Sequence, residues 1–151
     1  MKKMKKVVYN NCYGGFSLSP KAIAHILYQN KPDIILYFYI SDKGGYRKTS
    51  IENCVAGRGI VSLKDFGSFF DMSDLNPVEV ADNIIYSHSD GLYSSRHDPR
   101  LVKAVEKLGD EANGYCAELR IAKIDSDKYI IDNYDGLETV ITPEGIDWIN
   151  I

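Results

Sequence analysis

The apolar positions of the chain fall into short blocks whose spacing changes from one block to the next. Val7-Val8-Tyr9 is a brief strand-like run that ends in Asn10-Asn11-Cys12-Tyr13-Gly14-Gly15. Ser19 then stands where a helix N-cap is expected and Pro20 at the first helical position, with Ala22, Ile23, Ile26 and Leu27 at helical spacing. Asn30 and Pro32 close that helix, and His25 lies within it as a surface or core-edge residue. Ile34 to Ile40 is an unbroken run of strand formers without alternation, the pattern of a strand buried on both faces. Ser41-Asp42-Lys43-Gly44-Gly45 turns the chain after it.

Residues 46–98 carry a weaker pattern. Ile60-Val61-Ser62-Leu63 reads as a strand, and Val78, Val80, Ile84 and Ile85 after Asn76-Pro77 fit a helix or a strand equally. A polar loop from Ser87 leads to Asp98-Pro99, a second N-cap and first-turn proline. Leu101, Val102, Val105 and Leu108 form the apolar stripe of the helix that follows, and Gly109 ends it. Tyr115, Ala117, Leu119 and Ile121 alternate with polar neighbours, which predicts a half-buried strand. Asp125-Ser126-Asp127 turns into a strand over 129–134, and Asp135-Gly136 is a strong two-residue hairpin signal with 137–142 as the returning strand. The predicted fold is therefore α+β: a mainly antiparallel sheet ending in a meander, with at least two helices packed on it. Neither repeat nor low-complexity linker divides it, so residues 1–151 form a single domain.

Composition narrows the function classes. The chain has 151 residues, long enough to bury a core without staples. Its net charge of −3 argues against non-specific binding to duplex nucleic acid or to an anionic membrane. Cys12, Cys54 and Cys116 are far apart and lack metal-site spacing, which reads as reduced thiols in a cytoplasmic protein. The basic N-terminus is followed by too short an apolar run for a signal peptide, and no run approaches the length of a membrane span. Eleven tyrosines supply faces and hydroxyls suited to pockets and interfaces.

Three stretches carry candidate chemistry. Tyr13-Gly14-Gly15-Phe16-Ser17-Leu18-Ser19 joins a strand, a glycine turn and a helix start, an arrangement whose uncovered amides and hydroxyls can cradle an anion. It lacks the lysine of a P-loop and the third glycine of a dinucleotide turn. Arg96-His97-Asp98-Pro99-Arg100 places two guanidiniums at the other helix start, and arginine forks suit phosphate. Tyr134-Asp135-Gly136-Leu137-Glu138 is a hairpin tip whose carboxylates could accept bonds from a base edge or sugar hydroxyl. An enzyme would need more. His88, Asp90, His97 and Asp98 match no established metal spacing, and Cys12 with His25 or His97 makes a poor nucleophile–base pair on an apolar strand.

The same three stretches, with Val102, Val105 to Gly109, Ala112, Gly114 and Val140 in register, resemble a family of small proteins encoded by bacteriophages and other large DNA viruses. Residues 41–95 depart from that pattern. The resemblance implies a viral protein acting in the host cytoplasm, of a kind that often antagonises bacterial defences. One class of such proteins sequesters cyclic-nucleotide immune signals without cleaving them. The expectation is thus a binding protein for a small anionic nucleotide-derived ligand, with no cofactor and no metal, its pocket at the interface of a homo-oligomer. Gly14, Gly15, Ser17 and Arg96 would hold phosphate, Tyr13 and Tyr134 would pack against base or ribose, and Phe16, Ser19, His97, Arg100, Asp135 and Glu138 complete the candidate ligand-binding set. Arg96→Ala is then expected to abolish binding and leave the melting temperature nearly unchanged. A protein–protein inhibitor of a host factor, working through an acidic, tyrosine-bearing surface, is the second reading, and a cyclic-nucleotide-cleaving enzyme the third.

Overall fold

The computed structural model describes residues 4–29, 33–50, 52–53, 59–86, 95–146 and 149, and within them the chain is α+β. Strand β1 (Lys5–Asn10) pairs antiparallel with β7 (Leu119–Ile124), Val8 opposite Ile121. A five-stranded antiparallel sheet has the order β5 (Phe69–Phe70), β3 (Gly45–Thr49), β2 (Ile35–Ile40), β4 (Gly59–Ser62), β6 (Ile84–Tyr86). A separate hairpin joins β8 (Ile130–Tyr134) to β9 (Leu137–Ile141). Helix α1 (Pro20–Leu27) packs on β2 and β4, and α3 (Pro99–Leu108) packs on α1 and on the β1–β7 ribbon. The short α2 (Pro77–Asn83) leads into β6.

The main core lies between sheet and ribbon. Val8, Leu18, Ile23, Ile26, Leu36, Val61, Leu101, Val105 and Leu119 are buried in one cluster. Tyr37, Ile60, Phe70 and Ile84 form a second cluster. Neighbours Leu36 and Tyr37 on β2, and Ile60 and Val61 on β4, divide between the two, as the two-residue period of a strand requires. The expected two-faced burial of β2 holds in its first half. It fails toward the end, where Tyr39 is 40% exposed.

Both predicted helix starts form. Ser19 Oγ accepts from Ala22 N at 3.1 Å and also donates to the Glu111 carbonyl at 2.6 Å. Asp98 Oδ1 accepts from Arg100 N at 2.8 Å. Arg100 hydrogen bonds hold the Asp98 carboxyl below the usual carboxylate range, partly opposed by burial. Ser19→Ala removes a cap and a tie to the loop before β7, so a loss of about 1–2 kcal/mol is expected. A urea midpoint that falls at unchanged slope would register it.

Two expectations change. The strand predicted from Tyr115 begins only at Leu119, because Cys116 takes a φ of 61°, which breaks extended backbone. The predicted meander does not form, since β7 pairs with β1 while β8 and β9 pair with each other. Alternation marks which side of a strand is buried but not which strand lies beside it. The ambiguous stretch after Asn76 is both helix and strand in succession. Among the described residues no helix is long and apolar enough to cross a membrane.

Candidate functional site

The three marked stretches meet at one end of the β1–β7 ribbon, and Asn10 joins them. This last residue of β1 is fully buried. Its Nδ2 donates to the carbonyls of Cys12 (2.9 Å) and Gly136 (2.8 Å), and its Oδ1 accepts from Glu118 N at 2.8 Å. Its own backbone N donates to Glu138 Oε1 at 2.8 Å. Nothing singled out Asn10 in the sequence beyond a polar residue closing an apolar strand.

Glu138 points inward from β9 and receives Arg96 as a fork, Nη1 to Oε1 at 2.6 Å and Nη2 to Oε2 at 2.9 Å. Their side chains are 3% and 16% exposed. The Arg96 guanidinium carbon also stands 3.7 Å from the centre of the Phe16 ring, so the cation is forked at its edge and stacked on its face. The Arg96 carbonyl accepts from Val8 N at 2.8 Å, which fastens the loop before α3 to β1. Arg96 is therefore a structural clamp, and its removal should lower stability rather than leave the melting temperature nearly unchanged, because it would strip the partner from a buried carboxylate.

The glycines serve close approach. A Cβ on Gly136 would meet the backbone nitrogens of Gly14 and Gly15, one on Gly14 the Cys116 carbonyl, and one on Gly114 the Ser17 hydroxyl. The hairpin tip thus lies directly on the amides proposed as an anion cradle. The serine hydroxyls face the 111–115 loop: Ser17 Oγ donates to the Tyr115 carbonyl at 3.1 Å, and Ser19 is fully buried. Tyr13 and Tyr134 are 65% and 73% exposed, edge to face at 6.5 Å, and Asp135 occupies a left-handed hairpin position with a φ of 51°. Tyr115, which the sequence placed inside a strand, is 76% exposed in the adjoining loop. Arg100 reaches Asp98 on its own helix, Nη2 to Oδ2 at 3.0 Å.

His97 faces the other way, into a cleft. It has a volume of about 610 Å³ and lies between β1, the start of α3 and the β7–β8 turn. Met4, Val7, Pro99, Val102 and Ile124 supply apolar wall, and Lys5, Lys6, His97, Ser126, Asp127 and Tyr129 supply polar groups. His97 Nδ1 stands 2.7 Å from the Tyr129 hydroxyl. Burial pushes the Tyr129 phenol up, opposed by the backbone hydrogen bond and charge of Arg96. Lys5 pairs with Asp127, and Lys6 with Glu106 at 2.8 Å. Of the residues singled out in the sequence as ligand contacts, His97 alone lines this cleft.

No protein-family model, curated protein or solved structure matches the chain. His88, Asp90 and Cys54 lie outside the described residues, and among the described residues no group of three or more His, Cys, Asp or Glu is placed to hold a metal ion. His25 lies within α1 at the core edge, where burial first and then Lys107 and Lys103 lower its basicity.

Proposed function

We propose that this chain is a viral binding protein that captures a small nucleotide-derived signal of the host defence and holds it uncleaved, with the cleft beside α3 as its ligand site. The observation that carries the reading is the make-up of that cleft: apolar walls under Lys5, Lys6 and His97, in a volume suited to a small ligand. A base would lie against Met4 and Ile124. Phosphate would meet the lysines, whose present partners are largely solvent-exposed carboxylates and hold them weakly. The viral setting and the defence role rest on the family resemblance of the Tyr13, Arg96 and Tyr134 segments, and fold alone does not supply them.

The test is to make the protein in cells that produce cyclic-nucleotide signals, release its ligands by heat and identify them. Intact nucleotide supports capture, a cleaved product supports an enzyme, and no nucleotide overturns both. Lys6→Glu and His97→Ala are expected to weaken binding of the released nucleotide at least tenfold by calorimetry with the fold retained, whereas Tyr134→Ser leaves it unchanged. The opposite pattern would move the ligand to the hairpin tip.

A second reading, inhibition of a host protein, is favoured by the exposed Tyr13, Tyr115 and Tyr134 around that tip, since exposed tyrosines are common interface anchors. It requires co-purification with one host protein, lost in a Tyr13→Ser, Tyr134→Ser double variant.

A further inference from the structure

The loop after β1 and the loop before β7 each carry a cysteine, and the two come together against the glycine turn. Cys12 Sγ lies 2.8 Å from the Cys116 carbonyl oxygen and 3.5 Å from Asn10 Oδ1. A carbonyl oxygen is about 2.4 Å from its own Cα, so the Cys12 sulfur is within about 5 Å of Cys116 Cα. The Cys116 side chain leaves from that Cα toward the same turn, because a Cβ built on Gly14 would fall 2.7 Å from Cys116 Cβ. The two cysteines are therefore neighbours across the glycine turn, and the side-chain rotamers of Cys12 and Cys116 govern whether the two sulfurs meet.

The backbone at Cys116 adds an independent indication. Its φ is 61°, a conformation in which a side-chain-bearing residue is strained and glycine is preferred. The chain nevertheless has a cysteine there, exposed, opposite a second and partly exposed cysteine. Such strain at an exposed cysteine is an indication of function.

We propose that Cys12 and Cys116 are a redox pair that closes to an intramolecular disulfide on oxidation by peroxide. The exposed Cys116 thiolate attacks one oxygen of hydrogen peroxide, the O–O bond breaks, and sulfenic acid forms with hydroxide as leaving group, which takes up a proton to become water. The Cys12 thiolate then attacks the Cys116 sulfur and displaces the sulfenic oxygen as a second water. Two thiols and one peroxide give one disulfide and two waters. The bond would join the loop after β1 to the loop bearing Tyr115 and lock the glycine turn between them, making the Tyr13–Tyr115–Tyr134 tip a surface held differently in oxidised and reduced protein.

The experiment is peptide mapping of the unreduced, alkylated wild-type protein after treatment with one equivalent of hydrogen peroxide. The expected result is an intact mass lower by two hydrogens before alkylation, a linked peptide containing Cys12 and Cys116 after it, and a melting temperature that rises and is returned to its starting value by dithiothreitol. Cys116→Ser should remove the link. A link to Cys54, a link between two chains, thiols oxidised without pairing, or thiols left reduced would each overturn the proposal.

Discussion

Arg96→Ala is expected to destabilise the protein by about 3–5 kcal/mol, the cost of stripping one partner from a buried ion pair. The remaining Glu138 carboxylate is 3% exposed and would keep only the Asn10 backbone amide as a partner among the contacts described above. The Phe16 face would also lose the cation stacked on it. Two further variants separate charge from packing. Glu138→Gln should cost less than Arg96→Ala, because a neutral amide can still accept from Arg96 and Asn10. Arg96→Met combined with Glu138→Leu should recover much of the loss, since apolar replacement of a whole buried pair is often nearly neutral. Urea unfolding measures all three. A loss below about 1 kcal/mol for Arg96→Ala, the size of an exposed pair, would show that the guanidinium is free to serve a ligand.

Gly136→Ala should have an effect of comparable size for a different reason. The residue has a φ of 89°, and an added Cβ would run into the amides of Gly14 and Gly15. Strain and overpacking add to about 2–5 kcal/mol. Gly44→Ala is the control: its φ is 63°, yet a Cβ there would meet nothing within 4 Å, so only the backbone term of about 1 kcal/mol applies. If the two substitutions cost the same, the hairpin tip does not press on the glycine turn. Thermal or urea denaturation of the pair decides it.

Local signals carried their own elements well. Ser19-Pro20 and Asp98-Pro99 start helices because cap geometry is settled within three or four residues. Asp135-Gly136 makes the hairpin because a two-residue turn of this hand needs positive φ at both positions, 51° and 89° here. The five-stranded sheet was the least legible part, since its strands are short and one, Phe69–Phe70, has two residues. Its pairing depends on distant partners such as Phe38 and Gly59. In the candidate site, Phe16 and Arg96 were visible as residue types, but a motif cannot say whether an arginine faces solvent or a buried glutamate. Lys5, Lys6 and Tyr129 line the cleft without carrying any motif at all.

By itself the sequence determined the helix starts, the hairpin, the α+β class and the grouping of Tyr13, Arg96 and Tyr134 segments as the chemically unusual ones. Those properties follow from short-range sterics, capping and periodicity. Only the tertiary structure decided that these segments close on one another through Asn10, Arg96 and Glu138, and that the open cleft lies on the far side of His97. Burial is the physical reason. A carboxylate and a guanidinium brought together out of water satisfy each other, and the groups left to meet a ligand are those the fold leaves facing solvent.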